Sequence, residues 1–329
     1  MLERSRLPLT TVVERVGGLQ TQYAPSPYVA LWSRMNGFER DALTRALEQR
    51  RIVQATMMRV TIHMASARDF PLFIAGIRRS RQEWWLRIHR HEIEGLDMDA
   101  VAARVRKHFK DGPVRAPRLA ELLREDGFPP VAWSGAGLWV DLVRVPPSGT
   151  WRRRRADLYG LAEDWVGWSK ATEAEGLEHL VRRYLGGFGP ATPNEVAGWA
   201  GVPVTTIRPV VERLPLRSFR SEDGKVLFDL PRAALPGGDA PAPVRFLPTW
   251  EAALLIHARR TEILPERYRG ILFSSATPQS LCTFLVDGSV AGSWRYEDGR
   301  IRLEPFEPLP RGVRRELEDE ARELAAFHA

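Results

Sequence analysis

The stretch from Glu173 to Leu230 restricts the fold more than any other part of the chain. Glu173 to Leu185 has helical spacing and meets Gly186-Gly187, and Ala191-Thr192-Pro193-Asn194-Glu195 then offers a capping residue and an early proline, which start a new helix. Glu195 to Ala200, a turn at Gly201 and Thr205 to Leu214 make a helix-turn-helix pattern. Strands over Leu216 to Ser221 and Val226 to Leu230 flank Glu222-Asp223-Gly224, a hairpin signal, so the unit reads as a winged helix.

Two looser versions of the same order precede it. Ser26-Pro27 starts a helix that carries Val29, Ala30, Leu31 and Met35, and a second helix runs from Glu39 to about Arg50. Met57 to Ala65 alternate in the period-2 manner of a strand or hairpin. Asp69 to about Arg90 reads as a long helix, basic on one side through Arg78, Arg79, Arg81 and Arg87, with Trp84 and Trp85 among the charges. From Asp97 to about Gly167, helices are expected over Asp99 to Lys110 and Arg118 to Glu125. A strand pair follows over Ala132 to Val145, bent at Gly135 and Gly137, and ends in Pro146-Pro147-Ser148-Gly149-Thr150-Trp151 and the run Arg152 to Arg155.

Pro231 to Pro243 turns to Pro, Gly and Ala, the composition of a linker. Beyond it, strands over Ser280 to Leu285, Val290 to Trp294 and Ile301 to Leu303 meet at Asp287-Gly288 and Asp298-Gly299, and an acidic helix spans Arg311 to His328. The expected class is α+β: three tandem winged helices over residues 1–94, 95–170 and 171–236, then a small β-barrel with a terminal helix over 237–329. No residue-level repeat relates the three helical units.

Composition mainly excludes. No apolar run approaches the roughly 18 residues of a membrane span, and Met1 to Val16 lacks a signal-peptide pattern, so a cytoplasmic protein with no membrane partner is expected. Cys282 is the sole cysteine, and the seven His form no HExxH pair, so neither a metal nor a cofactor is expected. The net charge of +7 is unevenly placed: residues 1–90 hold 15 Arg against 7 acids, and the later segments are each within one charge of neutral. Such an asymmetry suits a local anion-binding face or a like-charged solvated surface. Winged helices favour DNA as the partner, although they also make protein contacts.

Gln20-Thr21-Gln22 holds the residues with most to say about chemistry. If extended, it turns Gln20 and Gln22 to one face and Thr21 to the other. Two carboxamides there can hold one water, but neither can act as a general base, so the pair suits a reaction whose leaving group departs readily. Two solvated glutamines after a helix stop at Gly17-Gly18 is the plainer reading. His63, beside Arg59 and Thr61, faces a reacting site or packs in the core, and Arg59 would take a phosphate. Trp151 with Arg152, Arg153, Arg154 and Arg155 is a phosphate clamp or a solvated face, and Trp84 and Trp85 read as core or interface.

Gln20-Thr21-Gln22, Ala30-Leu31-Trp32-Ser33-Arg34, Met58-Arg59-Val60-Thr61-Ile62-His63-Met64 and Arg68-Asp69, in this order, resemble the AlkZ/YcaQ family of bacterial DNA glycosylases, which reads QAQ, ALWAR, MRGTLHL and D. Pro146 to Trp151, Gly187 to Pro190 with Trp199, Phe246-Leu247-Pro248, and Val286-Asp287-Gly288-Ser289-Val290 with Gly292 and Trp294 extend the likeness over nearly the whole chain. The sequence departs from the pattern at Thr21, at Val60 where the family has glycine, at Trp250-Glu251 in place of Phe-Asp, and at Ala258-Arg259. The arm before the first expected helix is also short.

The resemblance implies three winged helices and a barrel arranged around DNA. It implies hydrolysis of the N-glycosidic bond of N7-alkylated purines, including unhooking of interstrand crosslinks, in repair or self-resistance, with the catalytic pair carried over to Gln20 and Gln22. N7 alkylation makes the base cationic, so it leaves neutral and needs little acid catalysis, and amide dipoles can position water and stabilise an oxocarbenium-like sugar. A monomeric, monofunctional glycosylase acting on double-stranded DNA with alkylated bases or crosslinks is expected. The alternative is a non-catalytic tandem winged-helix DNA-binding protein or regulator.

Overall fold

The computed structural model describes residues 3–255, 261–273 and 280–329, and Ala258 and Arg259 lie outside them. Helix α1 (Leu9–Arg15) stops at Gly17 and Gly18, whose φ angles of 66° and 87° fall in the left-handed region open to glycine, and strand β1 (Leu19–Gln20) follows. Helix α2 (Ser26–Arg34) has Pro27 in its first turn and is buried from Ser26 through Ser33; α3 (Arg40–Glu48) comes next. Strands β2 (Ile52–Thr56) and β3 (Ile62–Ser66) pair antiparallel around a 3-10 turn at Met58–Val60. The alternating run expected over Met57 to Ala65 therefore splits into turn and strand, because Met57 and Met58 are buried within the turn itself.

Helix α4 (Phe70–Ile88) leads to α5 (Met98–His108), whose first turn is capped by the Asp97 carboxylate accepting from the backbone N–H groups of Asp99 and Ala100. Then come β4 (Val114–Arg115), α6 (Ala116–Glu125), α7 (Pro130–Trp139), β5 (Leu142–Arg144), β6 (Leu158–Leu161) and α8 (Ala162–Val166). The strand pair expected over Ala132 to Val145 is corrected here: most of it is the helix α7. Ala132, Gly135 and Ala136 form its buried small-residue face, and a Cβ on Gly135 would come within 2.6 Å of the Trp85 ring. The glycine serves helix packing rather than a strand bend.

Helices α9 (Glu173–Phe188) and α10 (Pro193–Ala200) both start on capping boxes, Thr172 with Glu175 and Thr192 with Glu195. Gly186-Gly187 does not stop α9, which runs on to Phe188; a Cβ on Gly187 would lie 2.6 Å from the Arg15 carbonyl oxygen, so this glycine permits a close approach. Helix α11 (Val204–Arg213) and the hairpin β7 (Arg217–Arg220) with β8 (Val226–Asp229) follow, and Gly201, at φ 74°, closes α10. The remainder holds β9 (Arg245–Leu247), α12 (Ala252–Leu255), α13 (Glu266–Leu272), β10 (Cys282–Val286), β11 (Ser289–Glu297), β12 (Arg300–Pro305) and α14 (Arg311–His328).

Contacts divide the chain into two compact units, each discontinuous in sequence: Met1–Val12, Leu19–Leu43 and Ala234–Ala329 form one, and Val13–Gly18 with Thr44–Ala233 form the other. In the first unit, four antiparallel strands stand in the order β12-β11-β10-β9. Phe246, Phe284 and Trp294 fill one face, and the Trp294 indole donates to the Leu247 carbonyl at 3.0 Å. Helix α14 packs against β12 through Leu317, Ala321 and Leu324, and α2 packs against β1 and β9. Among the described residues these strands form an open sheet and no closed barrel, so the barrel expected over 237–329 is not found there.

In the second unit the strands run β3-β2-β5-β6-β4, all antiparallel. Helices α4 and α9 cross on two glycines: a Cβ on Gly76 would come within 2.7 Å of the Gly176 carbonyl carbon. Trp85, Val101, Val105, Leu119 and Ala136 form a core under α5, α6 and α7. Among the described residues no helix is long and apolar enough to cross a membrane.

Candidate active site

The two glutamines sit at the end of β1, in the first unit. Gln20 is the last residue of that strand, Thr21 has left it, and Gln22 lies in a bend. Gln20 and Thr21 are buried, whereas Gln22 is exposed. The chain bends at Gln22 on its way to Pro25 and α2. Helix α2, fully buried over eight residues, fixes this segment from behind. The pair thus places one buried and one exposed glutamine on an anchored stretch of backbone.

Arg59 and His63 belong to the second unit, on the β2–β3 hairpin, and the structure brings them together. The Arg59 Nη2 lies 3.2 Å from His63 Nε2, and His63 Nδ1 lies 3.0 Å from the Thr61 carbonyl oxygen. A carbonyl oxygen only accepts, so Nδ1 carries the proton and Nε2 accepts from the guanidinium. Burial first, then the Arg59 charge, push the His63 pKa down to about 3, so the imidazole is neutral across the physiological range. It holds Arg59; it does not exchange protons at neutral pH.

Arg59 is also bonded, through Nη1, to the Trp199 carbonyl in the last turn of α10, where the helix dipole favours a cation. The approach is close enough that a Cβ on Gly201 would lie 2.7 Å from the Arg59 backbone nitrogen. Arg59 thus ties the hairpin turn to the end of α10. Burial lowers its own pKa to about 10.

The loop between β5 and β6 carries Trp151 and the arginine run. Ser148 Oγ accepts from the backbone N–H groups of Asp157 and Leu158 at 2.9 and 3.1 Å and donates to the Arg155 carbonyl at 2.8 Å. Thr150 Oγ1 donates to the Pro147 carbonyl at 2.7 Å, and the Gly149 N–H donates to the Arg153 carbonyl at 2.8 Å. These bonds close the loop on itself and leave Arg152, Arg153, Arg154 and Arg155 exposed, with Arg155 paired to Asp157 at 2.9 Å and Trp151 half-buried. A braced loop with outward guanidinium groups can meet a phosphate backbone at small entropic cost.

The family model for DNA glycosylase AlkZ-like proteins matches residues 13–327. The chain belongs to the AlkZ-like DNA glycosylase family. Among solved structures, the DNA glycosylase AlkZ of Streptomyces sahachiroi shares its fold, with a TM-score of 0.75 and 19% sequence identity over 99% of this chain and 91% of the other. A search of the curated proteins returns no match.

Several motif residues of this AlkZ-like chain gain physical roles from the structure. Arg34 and the buried Glu251 form an ion pair at 2.9 Å, so the arginine of one motif meets the acid of another, and Glu251 supplies the carboxylate where the family pattern has Asp. Val60 stands where the pattern has glycine and adopts φ 57°, directly after Arg59 at φ 53°; a β-branched residue is strained in that region. Asp69 is buried and accepts at Oδ1 from His179 Nε2 at 3.0 Å and Arg183 Nη2 at 2.7 Å. Burial alone would raise its pKa, but these two bonds prevail and hold it below the ordinary carboxylate range.

The burial of Arg81 escapes sequence reasoning, which groups it with Arg78, Arg79 and Arg87 as one basic face of α4. Its side chain is enclosed, with Nη1 donating to the Thr56 carbonyl at 3.1 Å and Nη2 facing Asp141 at 3.4 Å. Helical spacing holds the signal: Ile74, Ile77, Arg81 and Trp85 fall on one buried stripe at i, i+3, i+4 steps. Trp85 is core, in line with its expected role, while Trp84 is partly exposed.

Proposed function

We propose that this AlkZ-like DNA glycosylase hydrolyses the N-glycosidic bond of N7-alkylated purines and, with bulkier substrates, unhooks interstrand crosslinks. The observation that carries the reading is the family match over residues 13–327, which includes both glutamines. Gln20 and Gln22 then act by polarity alone, placing a water against the anomeric carbon and offering amide oxygens to the positive charge that develops on the sugar. A cationic N7-alkylpurine leaves as a neutral base, so a site without a strong base is sufficient, and undamaged nucleosides, which lack that leaving group, are spared. The product is an abasic site, because no lysine is assigned to attack the sugar.

In this reading the protein works as a monomer in the cytoplasm on double-stranded DNA. The elements α10, α11 and the β7–β8 hairpin act as a winged helix that grips the duplex, and Trp151 with Arg152 to Arg155 contacts its phosphates. Pure protein is incubated with duplexes carrying 7-methylguanine or a crosslink, and alkali then cleaves any abasic site. Strand breaks that disappear in the Gln20→Ala, Gln22→Ala double variant support the assignment. Breaks that persist in that variant overturn the role of the pair, and binding without breaks on either substrate leaves the DNA-binding protein as the function.

A further inference from the structure

A cluster of guanidinium groups surrounds the β2–β3 hairpin of the second unit, well beyond what the nearby acid can balance. Arg81 and Arg144 both bond Thr56, the first at its carbonyl (3.1 Å) and the second at its hydroxyl (3.2 Å). Arg78 and Arg81 share one carboxylate, Asp141, at 2.6 and 3.4 Å. Arg81 Nε and Arg144 Nε and Nη1 are buried with no hydrogen-bond partner among the described residues. Buried donors on cations are costly to leave unpaired, and a group of them with one shared acid has an unmet demand for an oxyanion.

One of these arginines, Arg81, opens together with Arg59 of the hairpin turn onto a cavity. Its volume is about 290 Å³, and its wall includes Arg59, Arg81, Met57, Ile77, Trp84 and Gly201. Arg81 is only 4% exposed and Trp84 is 39% exposed, so one cation is enclosed and the indole is open to solvent. Burial lowers the pKa of both Arg59 and Arg81 to about 10, so each still carries its charge at neutral pH. The space far exceeds one phosphate group, and the rest of the wall is apolar and aromatic. Such a combination fits an anion that carries a flat or apolar body.

We propose that this cavity binds one nucleotide unit of a DNA strand, its phosphate against Arg59 and Arg81 and its sugar or base against Trp84. The proposal rests on the reading of DNA as the substrate. The same two cations repel a base that is itself positively charged, so the nucleotide taken is an undamaged neighbour or partner and not the N7-alkylated one. The cavity would then hold the strand in register while the chemistry proceeds elsewhere.

The test follows the Trp84 indole N–H signal in ¹⁵N spectra of the full chain, assigned by its loss in Trp84→Phe. An undamaged duplex, free deoxyadenosine monophosphate and inorganic phosphate are titrated separately, and duplex binding is measured in parallel by anisotropy. The duplex is expected to shift the Trp84 signal at concentrations where the free nucleotide and phosphate do not. Trp84→Ala is expected to weaken duplex binding about tenfold, as removal of a stacking partner would. Arg81→Gln should lower the slope of log affinity against log salt by about one, as removal of one phosphate-binding cation does. Duplex binding with an unmoved Trp84 signal overturns the proposal, and so does a signal moved by the free nucleotide alone. A duplex that shifts Trp84 but shows no excision of alkylated bases supports the cavity assignment and removes only the enzyme reading.

Discussion

Nε2 of His63 accepts a hydrogen bond from the Arg59 guanidinium at 3.2 Å, while Nδ1 is committed to the Thr61 carbonyl. Both nitrogens of the ring are therefore engaged, and protonation at Nε2 would put two cations in contact. The folded pKa lies near 3, below the 6.5 of a free imidazole. The unfolded chain thus binds this proton more readily than the native one, and the contribution of neutral His63 is fully present above pH 6.5 and is lost as pH falls toward 3. The loss amounts to at most ~1.4 kcal/mol per pH unit. His63→Gln keeps an acceptor for Arg59 and does not titrate. Urea denaturation between pH 6.5 and 4.5 should show a flatter decline for this variant, and an unchanged decline would show that His63 is not buried neutral.

The strain at Val60 has a direct remedy. With φ at 57°, an L residue pays about 1–2 kcal/mol that glycine avoids, less about 0.5–1 kcal/mol for the greater freedom of glycine in the unfolded chain. Val60→Gly should raise stability by up to ~1 kcal/mol in thermal or urea unfolding. Gly201→Ala should do the reverse, by about 2–3 kcal/mol, because the new methyl would have to displace the Arg59 backbone.

Asp69→Asn tests the buried network that joins the start of α4 to α9. The change leaves Arg183, whose Nε has no partner among the described residues, without its nearer carboxylate; Glu14 remains at 3.5 Å. A loss of ~3 kcal/mol is expected from breaking a buried pair in this way, read from the shift in urea midpoint. A shift under ~1 kcal/mol would mean that Glu14 compensates fully.

The arginine loop should affect DNA and not the fold. Arg152→Gln with Arg153→Gln removes two exposed cations, so unfolding should change by no more than ~0.5 kcal/mol. Affinity for an undamaged duplex should fall, and its salt dependence should flatten by ~0.9 for each phosphate no longer neutralised. An unaltered salt slope would assign the run to solvated surface.

Elements with local punctuation are legible in the amino-acid sequence. The cap at Thr192, the hairpin turn at Asp223-Gly224 and the helix Arg311–His328 depend on neighbours within a few residues, and each forms at its expected position. The departures share another origin. Gly135 and Gly187 carry the local signature of breakers, but their role is set by Trp85 and Arg15, residues remote in sequence that press against them. Arg81 carries a charge that sequence reasoning assigns to solvent, and only the positions of Thr56 and Asp141 show why it is buried. The motif glutamines are visible as candidates, yet the bend that separates a buried Gln20 from an exposed Gln22 depends on the chain turning into α2. Glu251 bears no local sign that Arg34 is its partner, because the two residues come from opposite ends of the chain.

The discontinuity of the first unit governs when the helix that follows its glutamines can settle during synthesis. The backbone that carries them, residues 19–43, belongs with residues 234–329, and α2 rests on β9. At about 5–20 residues per second, roughly 10 to 40 s separate Arg34 from Leu247 on the ribosome. Over that interval α2 lacks the strand it packs against, while residues 44–233 emerge with their own core partners. A nascent chain halted before β9 would therefore hold a folded middle and an α2 still without that packing, so an element made early would be among the last to reach its final place.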